Sequence, residues 1–161
     1  MKRTFCTVCA VSWVGLVAVA VPPMVRAQTS DADAIRQVIE AVAAYSQANN
    51  LEAIDTLFAP ERGIHIIEGA GINHGWADYR DNHLGPELES FENFEYRFYG
   101  VEPQVRGDVA WSSFRYDLAV DTPRGHLERE GRGTAVLERR DGRWLIVHLH
   151  TSGRAKRERG S

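Results

Sequence analysis

His148 and His150 stand two residues apart in the apolar stretch Trp144-Leu145-Ile146-Val147-His148-Leu149-His150-Thr151. On a β-strand that spacing puts both imidazoles on one face, with Ile146 beside them. Imidazole titrates near neutral pH, so such a pair on a pocket wall suits proton transfer or ligand binding. If Asp141-Gly142 forms a two-residue hairpin turn, Ala135 falls opposite His148 and Gly133 opposite His150, leaving room beside the rings. A bulge after the turn would shift that pairing by one. Core histidines bonded to carbonyls or a carboxylate are the competing reading. A metal would need a third ligand, His65 or Glu68, and the sequence assigns none.

Glu68 and His65 lie in Ile64-His65-Ile66-Ile67-Glu68. A carboxylate pointing inward from that apolar strand would be partly desolvated, and its pKa would rise. Tyr79 and His83 are four residues apart, which on a helix places them on one face where they could line a pocket mouth. Asp117 shares a strand face with Arg115, and Arg132 sits near the middle of the next strand. A buried arginine there would hold a carboxylate ligand bidentately. The candidate catalytic residues are therefore His148, His150 and Glu68. His65, Tyr79, His83, Asp117, Arg132 and Ile146 are the candidate ligand-binding residues. No G-x-S-x-G, H-E-x-x-H, P-loop or dinucleotide fingerprint occurs, and nothing implies a cofactor.

Helices come first and strands after. Ser30-Asp31-Ala32-Asp33 resembles a capping box, and Ala34, Ile35, Val38, Ile39, Val42 and Ala43 recur at helical spacing to about Gln47. Asn49-Asn50 separates this helix from a short one over Leu51 to Phe58, which Pro60 stops. A strand over 64–68 leads to a loop around Gly69, Gly71, Asn73 and Gly75, then to a helix from Trp76 to about Leu88, interrupted near Gly85-Pro86. Strands are predicted over 94–105, 109–120, 126–140 and 144–151, with Asp141-Gly142 a strong hairpin signal. This is an α+β order, with helices covering one face of an antiparallel sheet. Apolar residues on both faces of the last strand predict that the other face is covered too, by a second copy in a homodimer.

The N-terminus reads as a targeting segment. Lys2 and Arg3 precede an uncharged run from Phe5 to Val21, Pro22-Pro23 break it, and Ala27 offers a cleavage site before Gln28. Residues 1–27 are thus a signal peptide, 28–153 the domain and 154–161 a disordered basic tail. The expected location is periplasmic or secreted, with no stable membrane insertion after cleavage. Cys6 and Cys9, the only cysteines, leave with the segment, so thiol chemistry is excluded from the mature chain. Cleavage also removes Lys2, Arg3 and Arg26 and no acid, taking the formal charge from −3 to −6. A mildly acidic chain argues against a nucleic-acid partner.

The stretch from Gly133 to Ser152 resembles the last hairpin of SnoaL-like proteins. Trp144, Val147, His148, His150 and Ser152 are also similar to the W-x-x-V-H-x-H-x-S pattern of the calcium/calmodulin-dependent kinase association domain. Gly75 to Leu84, with Pro86-Glu87-Leu88, resembles a segment of exported SnoaL-like proteins. The resemblance implies the nuclear transport factor 2-like, or cystatin-like, fold: a cone-shaped, curved antiparallel sheet wrapped around N-terminal helices, with a pocket at the open end. That fold hosts isomerases, cyclases, dehydratases, epoxide hydrolases and non-catalytic assembly domains, so it does not fix a chemistry. The expected function is binding of a small, mostly apolar molecule in the cone. The alternatives are a cofactor-free acid–base enzyme and an oligomeric assembly module.

Overall fold

The computed structural model describes residues 30–61 and 63–156. The predicted signal peptide, its two cysteines and residues 157–161 lie outside the described residues. Helix α1 (Asp31–Gln47) starts where the sequence placed it: the Ser30 hydroxyl accepts from the Asp33 amide, and Asp31 and Asp33 complement the positive helix end. Its buried face carries Ile35, Ile39, Val42, Ala43 and Ser46. Asn49, with φ 50°, ends the run. Asn50 then caps the one-turn helix α2 (Leu51–Asp55) by accepting from the Ala53 amide at 3.0 Å.

Strand β1 (His65–Glu68) turns at Gly69 into β2 (Gly71–His74), so the predicted glycine loop is in part an edge strand. The helical segment that follows is α3 (Trp76–Tyr79), a π turn over Arg80–Leu84, and α4 (Gly85–Ser90). The interruption comes one turn earlier than Gly85-Pro86 suggested. At Gly85 a Cβ would lie 2.7 Å from the Arg80 carbonyl oxygen, so glycine permits the wide turn. Pro86 has no amide to offer a carbonyl four residues back.

Four long strands complete the chain: β3 (Glu92–Arg106), β4 (Val109–Thr122), β5 (Gly125–Arg140) and β6 (Arg143–Ala155). The sheet order is β2-β1-β6-β5-β4-β3, with only β1–β6 parallel among its pairings. Strand β6 continues past the predicted start of the tail. Arg154 pairs with Glu130 at 2.7 Å, and the Lys156 amide bonds the Glu128 carbonyl at 3.0 Å. No described helix is long and apolar enough to cross a membrane.

Register fixes the faces. On the inner face Phe114 lies opposite Gly133, Tyr116 opposite Gly131 and Ser112 opposite Ala135. A Cβ on Gly131 or Gly153 would collide with the Tyr116 ring or hydroxyl, and one on Gly133 with the Phe114 ring. These glycines let two aromatic rings lie flat on the sheet. Helix α1 packs on β3 and β6, closing the core around Phe114, Leu137 and Ile146.

The Asp141-Gly142 turn has φ of 49° and 76° and joins Arg140 to Arg143, as a type I′ hairpin requires. The pairing expected from it holds as far as Leu137 opposite Ile146. A bulge at Val147 then shifts the register by one, so Val136 faces His148, Ala135 faces Leu149 and Gly133 faces Thr151. Ile146 consequently sides with Leu149 and Thr151, and His148 and His150 turn to the outer face.

Candidate functional site

A cavity of about 380 Å³ lies between the α3–α4 segment and the inner face of the sheet, within the usual range for small-molecule sites. Its walls include Phe91, Phe94, Leu118, Val120 and Leu127. Its polar end is made by Glu68, Tyr79, His83 and Glu87, and Arg129 stands exposed at its edge. Glu68 arrives from the last position of β1, opposite Thr151, which turns it inward. Tyr79, His83 and Glu87 arrive from the helical segment at four-residue spacing. In an α-helix each such step drifts by about 40°. The wider π turn takes up part of that drift, so all three meet the cavity.

The polar groups are tied together. The Tyr79 hydroxyl donates to Glu68 Oε1 at 2.7 Å. His83 Nδ1 is 2.9 Å from Asn73 Oδ1, and the Asn73 amide nitrogen is 3.4 Å from Asp78 Oδ2. His83 Nε2 lies 3.5 Å from both Glu68 Oε2 and Glu87 Oε1. Burial pushes the Glu87 carboxyl above its ordinary pKa, and the Glu68 charge adds to that push while His83 opposes it. Burial, then the Glu68 charge, also holds the Tyr79 phenol well above its usual value, so it stays protonated as a donor. Tyr96 and Tyr116 line the same cavity, and their hydroxyls have no hydrogen-bond partner among the described residues. Among the described residues, Glu68, His83 and Glu87 are the group that could hold a metal ion.

Of the residues singled out in the sequence, Glu68, Tyr79 and His83 come together here. The others do not. His148 and His150 point to the outer face, where His148 lies beside His65 in the β1–β6 pairing and His65 stacks edge-on with His74 at 5.3 Å. Burial, with the His150 and His65 charges, lowers the His148 pKa. Ile146 is fully buried in the core beside Phe58. Asp117 is on the outer face, bonded to Arg97 at 3.0 Å and to the Tyr99 hydroxyl at 3.4 Å. Arg132 sits opposite Arg115 on that face, bordering a more open depression of about 550 Å³ with Glu130 and Arg154. The bulge at Val147 corrects the two histidines and Ile146, and strand parity on β4 and β5 corrects Asp117 and Arg132.

Glu87, Tyr96, Tyr116 and Arg129 were not anticipated. Glu87 continues the Tyr79–His83 spacing by another four residues, a signal the sequence did carry. Tyr96 and Tyr116 had none beyond strand alternation.

Helices on one face of a curved six-stranded sheet, with a cavity between them, define the nuclear transport factor 2-like class. The SnoaL-like domain profile matches residues 35–155, and the chain belongs to that family. Among solved structures it is similar to a nuclear transport factor 2-like superfamily protein of Salmonella enterica, at 21% identity over 79% of this chain and 93% of that one, TM-score 0.66. A provisionally assigned ketosteroid isomerase of Shewanella frigidimarina is 22% identical over 76% of this chain and 96% of that one, TM-score 0.62. A provisionally assigned dehydratase of Streptomyces avermitilis is 13% identical over 78% and 97%, TM-score 0.68. At these identities the likeness concerns the fold. No curated protein matches the sequence.

Proposed function

We propose that the protein binds a small, mostly apolar molecule in the cone, with the molecule's polar end turned to Glu68, Tyr79 and His83. The observation behind this is the tyrosine pair. Tyr116 is 6% exposed, yet its hydroxyl lines an apolar-walled cavity with no partner among the described residues. The ring is buried but the hydroxyl opens onto the cavity, where it is free to bond a ligand oxygen or nitrogen. Native mass spectrometry of protein from its own host tests the proposal. A reproducible extra mass that leaves on denaturation is expected, and it should be absent when Leu118→Trp fills the cavity. Retention of the same mass by that variant would place the ligand elsewhere.

A second reading, acid–base catalysis, is favoured by Glu87. A carboxyl held above its ordinary pKa beside a histidine and a second carboxylate is a pairing suited to moving protons. The relatives named as an isomerase and a dehydratase fit this reading. In a substrate screen, turnover abolished by Glu68→Gln and His83→Gln but kept in His148→Asn would support it. Turnover lost only in His148→Asn would remove it.

The outer face favours a second copy of the chain as partner. Ile72 (50% exposed), Val109 (42%) and Trp111 (41%) all lie there, on a continuous sheet that a two-fold copy can match to itself. Light scattering should report a dimer that Trp111→Glu converts to monomer. A wild-type monomer would refute this, and a higher oligomer would favour the assembly reading. Export remains part of the proposal, and N-terminal sequencing of the native protein should begin at Gln28.

A further inference from the structure

The polar end of the cavity has a spacing that proton transfer does not require. We propose that Glu68, His83 and Glu87 form a binding site for a divalent transition-metal ion of the zinc type, with a fourth position open to the cavity. One ligand atom from each residue lies within 4.8 Å of the other two. His83 Nε2 is 3.5 Å from Glu68 Oε2 and 3.5 Å from Glu87 Oε1. A charge-assisted N–H···O bond would draw such atoms to about 2.7–2.9 Å. Ligands held about 2.0–2.1 Å from a tetrahedral ion sit about 3.4 Å from one another, close to the two separations from His83, and the two carboxylates lie within 4.8 Å of each other.

The groups behind the three ligands are those a metal site uses. The Asn73 carbonyl oxygen accepts from His83 Nδ1–H at 2.9 Å. With Nδ1 occupied by Asn73, Nε2 is the ring nitrogen that faces the gap between the carboxylates. Asn73 is oriented in turn by Asp78, which also accepts from the His74 amide at 2.8 Å. The Tyr79 hydroxyl occupies Glu68 Oε1 and leaves Oε2 for the ion. Hydrogen-bonded partners of this kind fix the ring and the carboxylate of metal ligands.

An independent observation points the same way. Tyr116, a residue more than nine-tenths buried, turns its hydroxyl into the same cavity with no partner among the described residues, which leaves it free to bond a water or ligand atom there. Two half-buried carboxylates facing one histidine also leave negative charge that a dication would neutralise. Three ligands from one histidine and two carboxylates, with one open position, suit zinc or a neighbouring first-row ion. The sequence hid this set because Glu68 is far from His83 and Glu87 along the chain. The inference rests on the cavity being an open pocket, and it does not depend on His83 transferring a proton.

The test is calorimetric titration of the chelator-stripped protein with Zn²⁺ alone. One equivalent per chain is expected. His83→Ala and Glu87→Gln should each weaken binding at least about a hundredfold, and Tyr79→Phe, which loses only a supporting bond, about tenfold. The outer histidines are the rival place for zinc, so His65→Asn/His148→Asn should bind as the wild type does. Co²⁺ bound to the unaltered protein should give the intense visible absorption of a tetrahedral site, a readout independent of whether any variant folds. No binding, or binding that survives His83→Ala and disappears in the outer-face variant, overturns the proposal. So does the weak absorption of octahedral Co²⁺. A small molecule retained by zinc-free protein in native mass spectrometry would leave the pocket standing with the metal assignment overturned.

Discussion

Gly133→Ala sets two known effects against each other. The backbone at Gly133 has no positive φ, so alanine fits the strand and should stabilise by about 0.4–1 kcal/mol through the unfolded chain. Against this, the new methyl would overlap three atoms of the Phe114 ring, the farthest only 2.7 Å away. The ring cannot easily withdraw. Phe114 is 2% exposed, and its other neighbour, Phe98, is already at 4.4 Å between centroids. Overpacking of this kind costs about 1–3 kcal/mol, and with little space to yield the upper half of that range applies. The net expectation is a loss of about 1–2 kcal/mol in urea unfolding, with an unchanged m value. In a Phe114→Leu background the clash is relieved, and the same Gly133→Ala change should become neutral or stabilising. A Gly133→Ala protein as stable as the wild type, or an equal loss in both backgrounds, would refute the view that this glycine exists to seat the ring.

Tyr79→Phe removes a donor to a carboxylate and should cost about 1.5–2 kcal/mol, the lower part of the range for a charged hydrogen bond because Glu68 keeps partial contact with the cavity; an unchanged midpoint in urea would count against the bond. Gly85→Ala places a methyl 2.7 Å from the Arg80 carbonyl and should destabilise by about 1–3 kcal/mol while weakening whatever binds at His83 and Glu87; retention of both would show the π turn is not needed there. The His148 pKa is lowered in the folded chain by burial and by His150 and His65. The unfolded chain therefore takes up more protons as pH falls below about 6.5, and stability should decline over that window. His148→Asn should flatten the dependence measured between pH 7.5 and 5.5, and an identical slope would dismiss the effect.

What could be read from the sequence was local. Ser30 before an apolar helical repeat, and Asp141-Gly142 between two strands, are decided by a few neighbouring residues, and both stand where expected. The fold class followed from their order. The strand faces beyond Ile146 did not, because the bulge at Val147 answers to packing across the whole sheet. It exchanges His148 and His150 for Leu149 and Thr151 on the inner side. Strand β2 was missed because Gly71-Ile72-Asn73-His74 is an edge piece with no alternation, held by β1 alone. Glu68, Tyr79 and His83 were anticipated as separate candidates. Glu87 was not, because the phase of its helix depends on the π turn, a product of Gly85 and Pro86 that helical periodicity alone does not reveal.

That π turn is also a unit of evolutionary change. It amounts to one extra residue inside a helix, and losing any one residue between Arg80 and Leu84 would restore ordinary winding. Tyr79 and Glu87 would then stand seven positions apart, still on one helix face, and the change would fall on the residues between them, His83 above all, while the cone walls stay as they are. Lineages built on this scaffold can thus move a single polar side chain, the one between Tyr79 and Glu87, into or out of the pocket by one codon gained or lost. Two proteins with the same walls and the same residue types can differ in activity through a count of residues.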